Sequence, residues 1–336
     1  MAAHPVRLSV LDTSPIVQGA TPRQALLNTV DLARLTDTLG YHRYWVPEHH
    51  GMRGVASSAP AVLIAHLANA TTNLRLGSGA VLLPNHPPAV IAEQFATLTA
   101  LHPNRIDLGI GRAPGGPKSA VAAVRPEESR TATPFHTQLK ELHHHLHHPE
   151  TKAIPARNGN PPPIWLLGSS TTSAALAATL GLPYAYAHHL NPTTATAALH
   201  HYRTTFRPTP QTPSPTTLIS VSVITAETDT HAEWLAGPTR LKVLSRHHST
   251  RIQLPSPETA AEYPYTEADR AVIATHSGSV LVGGPETVAE GLQQILDATG
   301  TTELMVTTPV YHHADRRRSY ELLATIAPRL QVADLA

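Results

Sequence analysis

Residues 43–53 read Arg-Tyr-Trp-Val-Pro-Glu-His-His-Gly-Met-Arg, an apolar run that breaks into one carboxylic acid and two imidazoles. Imidazole gains and loses a proton near neutrality, so His49 and His50 can act as general acid or base, with Glu48 to orient one of them. The plainer reading is a histidine that closes a loop with Glu48 as its anchor. A second apolar run ends in Gly109-Ile110-Gly111-Arg112-Ala113-Pro114-Gly115-Gly116. A guanidinium among glycines can clamp a phosphate with paired donors while bare backbone amides add more. Taken alone, the same motif also describes a surface arginine in a pliant loop. Gly77-Ser78-Gly79-Ala80 offers either a close seat for a flat ring or a glycine bulge. Gly168-Ser169-Ser170-Thr171 opens a helical pattern, and its hydroxyls suit an anion or a simple cap equally well. Tyr184-Ala185-Tyr186-Ala187-His188-His189 is another short run ending in two histidines. The pairs His143/His147 and His144/His148 have the i,i+4 spacing of adventitious metal binding, on what reads as a solvated outer helix face.

Such groups need a scaffold that brings several strand ends to one place. Apolar runs at Val6–Leu11, Tyr44–Val46, Leu74–Leu83, Arg105–Ile110, Ile164–Leu167, Tyr184–Ala187, Thr216–Thr225 and Glu303–Thr308 read as eight strands. Helical patterns lie between them. One is capped by Thr21 with Pro22 at its first turn and runs to Leu39 before Gly40. Others are capped by Ser57 or Ser58, span Pro88–Leu101 and Pro134–His148, or follow Gly283-Gly284-Pro285. Eight alternations predict a single α/β domain over residues 1–336, a (β/α)8 TIM barrel with an inserted loop region after strand seven. The candidate residues all follow strands, which puts them at the C-terminal mouth of such a barrel. No Gly-x-Gly-x-x-Gly follows the first strand, as a doubly wound dinucleotide fold would require. A polar loop of about twenty residues is expected between Ile110 and Pro134, and Arg207–Pro215 reads as a surface loop. Residues 248–277, with Pro255, Pro257 and Pro264, read as a lid over the mouth or as an inert excursion.

Composition narrows the chemistry. The chain has 336 residues and a net charge of +1 with His neutral, so no charge argument for nucleic acid exists. It has no Cys, which rules out disulfides, thiolate metal sites and cysteine nucleophiles. The start Met1-Ala2-Ala3-His4-Pro5 has no basic region followed by an apolar stretch, and no run of about twenty apolar residues follows. A cytoplasmic protein without a membrane partner is the expectation.

The motifs together resemble the bacterial luciferase-like flavin monooxygenases, in their single-chain group. The resemblance runs through Leu8–Pro15, Tyr44–His50, Gly77–His86, Arg105–Gly115, Trp165–Ser170, Ala185–His189, Val282–Val288 and His313–Arg316. It fades over Pro117–Pro134 and Arg246–Ser277. It implies a barrel that takes reduced FMN from a separate flavin reductase and adds O2 at the flavin C4a, the peroxyflavin then oxidising a small-molecule substrate. By position it implies His49 as the catalytic imidazole, Arg112 at the flavin phosphate, and Gly168, Ser169, Ser170 and Thr171 as the phosphate loop. It places Gly79-Ala80 as a non-proline cis peptide beside the ring. Asp12, Ser14, Glu48, Tyr186 and His188 would line the substrate pocket, and no metal is expected. Gly111 stands where the luciferase catalytic chain has a Cys, so light emission is not implied. The resemblance also implies a homodimer packed through barrel helices, for which Ala61–Ala65 and Val90–Ala92 are apolar enough.

Three rivals use the same residues. A deazaflavin-dependent oxidoreductase would transfer hydride on this barrel and favour extra cations at the mouth, with Lys118 and Arg125 as candidates. A metal-dependent barrel hydrolase would use Glu48, His49 and His188 as ligands, although Leu11-Asp12-Thr13 stands where such barrels carry His-x-His on the first strand. A barrel that binds flavin without turnover is the third.

Overall fold

A computed structural model describes residues 4–148, 160–276 and 278–332. The reading of Met1–Ala3 and residue 277 of the 248–277 segment lie outside the described residues. Eight parallel strands close on themselves: β1 Arg7–Leu11, β2 Arg43–Val46, β3 Arg75–Ser78, β4 Ile106–Gly111, β5 Ile164–Gly168, β6 Tyr184–Tyr186, β7 Thr217–Thr225 and β8 Glu303–Thr307. Closure is made by β8, which pairs β1 through Leu304 and Leu8 and pairs β7 through Leu304 and Ile219. Helices connect the strands on the outside, so the chain forms the TIM barrel that the alternation predicted.

Local chemistry explains most boundaries. Thr21 accepts a hydrogen bond from the Gln24 amide, Pro22 sits in the first turn of Pro22–Thr38, and Gly40 takes the left-handed turn at its end. Three expectations are corrected. Neither Ser57 nor Ser58 caps the next helix. It starts at Pro60 behind Ala59, and the buried Ser57 hydroxyl donates instead to the Pro47 carbonyl at 2.5 Å. The single strand expected at Leu74–Leu83 is split into β3 and a short Val81–Leu82 strand by the cis Gly79–Ala80 peptide. The loop expected before Pro134 carries the short helices Lys118–Val124 and Glu127–Thr131. Two pairings had no sequence signal. Val280–Gly283 runs parallel to the overhang of β7 from Ser222 to Thr225, and His4–Pro5 pairs antiparallel with Gln331–Val332.

Between β7 and β8 the chain forms the helices Asp229–His247, Pro257–Glu262, Glu267–His276 and Pro285–Thr299. Leu241, Leu244 and Ala260 are buried there under Tyr263, Tyr265, Val272 and Ile273. The Gln253 side chain donates to the Arg53 carbonyl and the Gln18 amide to the Leu254 carbonyl, so this stretch lies against the loops after β1 and β2.

Alternation along the strands sends every second side chain inward. Leu11, Trp45, Trp165, Ala185, Leu218 and Met305 form one apolar layer inside the barrel, with the two indoles edge to face at 5.6 Å. Below it lies a charged floor. Arg43 donates to Asp107 at 2.6 Å and to Glu303 at 2.8 Å, Arg75 donates to Asp107 at 2.6 Å, and the Ser9 hydroxyl donates to Glu303 at 2.6 Å. Asp107 has no exposed surface. Burial alone would push its carboxyl up, but the guanidinium groups of Arg43 and Arg75 outweigh burial and hold it below the usual carboxylate value.

Because that value is lowered on folding, the stabilisation from Asp107 is present at neutral pH and is lost as pH falls through the native value. Asp107→Ala leaves two guanidinium groups around an emptied floor and should cost about 3–5 kcal/mol in urea unfolding. A loss under about 1 kcal/mol would take the floor out of the account of stability.

Candidate active site

The turn after β2 is organised by Glu48, which is only 2% exposed. Its carboxylate accepts from His50 Nε2 at 2.7 Å, from His86 Nε2 at 2.9 and 3.0 Å, from Asn85 Nδ2 at 3.1 Å and from the Leu82 amide at 3.0 Å. Its own amide donates to the Ala80 carbonyl at 3.0 Å. Glu48 is thus the anchor of the turn and not an open wall of a pocket. Burial pushes its carboxyl up, but hydrogen bonds from His86, Leu82 and His50 more than reverse this, so Glu48 is held ionised. The sequence pattern assigns no role to Asn85 or His86. The acid that they serve lies 37 and 38 residues away, a separation that only the fold closes.

His49, next in the chain, stays half-buried, and its Nδ1 is buried without a hydrogen-bond partner. Its backbone amide donates to Ser57 at 3.0 Å, which fixes the ring's stem and leaves the ring itself uncommitted. Burial, and then the neighbouring His50, push its pKa below 6.5 against the opposing pull of Glu48. The neutral imidazole can therefore accept or donate a proton at either nitrogen.

The loop after β4 is pinned to the same turn. The His50 amide donates to the Gly115 carbonyl at 3.0 Å, and a Cβ on Gly116 would come within 2.1 Å of the His50 carbonyl. Only glycine permits that contact. At Gly109 a Cβ would lie 1.9 Å from the Ser78 carbonyl, so β4 and the strand before the cis peptide approach backbone to backbone. Arg112 is exposed, with no protein partner for its guanidinium among the described residues. Across the mouth, Ser170 caps Thr171–Leu180 in a capping box with Ser173. The cap and the helix N-terminus of the earlier alternatives therefore coincide, and Ser169, Ser170 and Thr171 stay partly or fully exposed there.

The remaining expected pocket residues are placed differently. Asp12 and Ser14 have no exposed surface. Asp12 accepts from Arg316 at 2.6 Å, from the Ser14 amide at 2.7 Å and from the Tyr44 hydroxyl, while the Ser14 hydroxyl accepts from Thr29 at 2.8 Å. Both tie the loop after β1 to the C-terminal helix His313–Ile326 and to the first helix. Tyr186 is also buried, and its hydroxyl donates to the Asn191 carbonyl at 2.7 Å, joining the loops after β5 and β6 through Asn191 and Ser169. His188 is half-buried with an unpartnered Nδ1, and burial lowers its pKa. Its neighbour His189, absent from the expected set, bonds Ser220 at 2.8 Å and is pushed down to about 4 by burial. Among the described residues, no three His, Cys, Asp or Glu side chains are grouped to hold a metal ion. No helix among them is long and apolar enough to cross a membrane.

His49 and His188 should therefore titrate below 6.5. Proton NMR of the imidazole C2–H signals, assigned with single His→Gln variants, checks this, and midpoints at or above 6.5 would contradict the burial argument.

Comparison with known proteins agrees with this arrangement. A family model described as luciferase-like monooxygenase matches residues 6–303. A luciferase-like monooxygenase of Escherichia coli (strain K12) is 39% identical over 334 residues, covering 98% of this chain and 99% of its own. The N-acetyl-S-alkylcysteine monooxygenase of Bacillus subtilis (strain 168) is 34% identical over 328 residues, covering 95% and 97%. The crystal structure of apo-MsnO8 superposes with a TM-score of 0.90 at 39% identity, covering 98% of this chain and 99% of that one. The oxygenating constituent of 3,6-diketocamphane monooxygenase from the CAM plasmid of Pseudomonas putida, solved with FMN, gives 0.73 at 19% identity, covering 98% and 100%. That last likeness speaks for the barrel fold alone. With a barrel whose mouth carries the Glu48-His49-His50 turn, and with a family model spanning nearly all of it, the chain belongs to the luciferase-like monooxygenases.

Proposed function

We propose that this chain is the oxygenating half of a two-component FMN-dependent monooxygenase, working in the cytoplasm with a separate flavin reductase. One observation carries the reading: an uncommitted imidazole, a close-packed backbone seat and a free guanidinium belong to one connected unit. His49 follows Glu48, Glu48 bonds Ala80 and Leu82, and His50 bonds the loop that starts with Arg112. These residues fit the flavin. Arg112 with Ser169, Ser170 and Thr171 would hold the phosphate, Gly168 would let the chain turn beneath it, and the Gly79–Ala80 backbone would support the ring. Reduced FMN, when bound, would supply the electron pair to O2, one oxygen atom passing to a small organic substrate and the other leaving as water. His49 would hold or move a proton at the reacting face, and its lowered pKa keeps it neutral for that task. His188, in the turn after β6, the strand opposite β2 around the barrel, would face the substrate.

Of the two cations that the deazaflavin reading would use, Arg125 already commits its Nη1 to the Pro84 and His86 carbonyls at 3.1 and 3.0 Å, which weakens that reading.

Anaerobic titration with reduced FMN and with reduced deazaflavin, followed by admission of oxygen, tests the proposal. Tight binding of FMN alone and oxygen-dependent reoxidation that differs from free flavin are expected. Binding of deazaflavin alone would sink it. In a coupled assay His49→Ala should keep FMN affinity near the parent's while less of the oxygen consumed ends in product. Unchanged coupling would remove His49 from this role.

A homodimer through the second and third helices is the accompanying proposal. It rests on Val62 at 73% exposure, on Val90 at 39% and on Leu101 at 66%. Light scattering should return twice the 36.0 kDa chain mass, and Val62→Glu should return the single mass. A parent of single mass would end this proposal.

A further inference from the structure

The loop between Arg112 and Arg125 has little apolar packing of its own. Its helix Lys118–Val124 buries one side chain, Val121, and Ala113 and Pro114 are exposed. What fixes it is polar and lies at its two ends. At the start, the His50 amide donates to Gly115 at 3.0 Å and Asn85 Nδ2 lies 3.4 Å from the Pro114 carbonyl. At the end, Arg125 donates to the carbonyls of Pro84 and of His86. His50, Asn85 and His86 share one further property: their side chains all grip the Glu48 carboxylate. An ionised carboxylate only accepts, so both imidazoles must present an Nε2–H to it. A single buried acid thus sets the position of both ends of the loop, and the first exposed cation of that loop is Arg112.

We infer that His86 is a positioning residue: through Glu48 it holds the 112–125 segment, and with it the Arg112 guanidinium, at a fixed place relative to the Gly79–Leu82 backbone. Through its Nε2, His86 is committed to the Glu48 carboxylate. Its work is to keep a phosphate-binding arginine from wandering on a loop that burial does not anchor. The consequence for cofactor affinity rests on the flavin reading above, whereas the consequence for the loop does not.

Hydrogen exchange by mass spectrometry on the flavin-free protein, paired with anaerobic titration by reduced FMN, tests this in His86→Ala and His86→Gln. His86→Ala removes a hydrogen bond to a charged group and should speed exchange across residues 115–125 by about tenfold or more. Exchange in the first helix, Pro22–Thr38, should stay unchanged, and FMN affinity should fall by a similar factor. His86→Gln puts a side-chain amide in reach of the carboxylate and should restore both, which a general loss of packing would not permit. Arg125→Met, which frees the far end with His86 intact, should reproduce the faster exchange even if His86→Ala fails to fold. Unchanged exchange in either His86→Ala or Arg125→Met overturns the positioning role, whatever flavin does. Faster exchange with unchanged FMN affinity overturns the link to Arg112. A parent that binds no FMN retires the flavin reading, and exchange alone then decides the role of His86.

Discussion

Buried charge must be paired, and in this barrel the pairing requirement dictates which strands can be neighbours. Asp107 on β4 is satisfied by Arg43 and the Trp45 indole on β2 and by Arg75 on β3, and Arg43 in turn reaches Glu303 on β8, which also holds Ser9 on β1. Five of the eight strands therefore meet in one network at the floor. A strand slipped by one residue would turn its member of that network outward and strand its partners in a dry interior. The apolar layer of Leu11, Trp45, Trp165 and Met305 sits on the floor, and the functional mouth sits on that layer. Arg43 also lies 4.8 Å over the Trp165 ring, which couples the two lower layers directly.

The mouth repeats the principle. At the floor, two cations surround an acid to close the barrel. At the mouth, two imidazoles, an amide and a backbone N–H surround Glu48 to assemble loops. His49 Nδ1 nearby is buried without a partner, and the Arg112 guanidinium is exposed.

Local signals in the sequence reported local structure well. Thr21-Pro22 and Gly40 bracket the first helix, and Pro88–Leu101 begins and ends where its pattern does. Arg112 stands out because glycines isolate it, and the structure leaves it exposed. Roles that depend on distant partners were illegible. Asp12 after a strand looks like a pocket acid until Arg316 is seen beside it. Ser57 looks like a helix cap until the Pro47 carbonyl claims its hydroxyl. Val280–Gly283 carries no alternation of its own and pairs only because β7 outruns its neighbours. Glu48 could be read as an orienting acid or as a pocket residue, and the breadth of what it orients comes from residues 34 to 38 positions downstream.

The Asp12–Arg316 pair spans 304 positions, and the Glu303 contacts with Ser9 and Arg43 span 294 and 260. During vectorial synthesis the first strand and its acid leave the ribosome long before their countercharges exist. A nascent chain shorter than residue 316 would have to bury Asp12 without its arginine, a state that the dielectric penalty disfavours. The early strands must then wait in hydrated, open form for the last helix. Emergence of the segment that carries Glu303 and Arg316, and not the completion of any single strand–helix unit, becomes the event that lets the barrel shut.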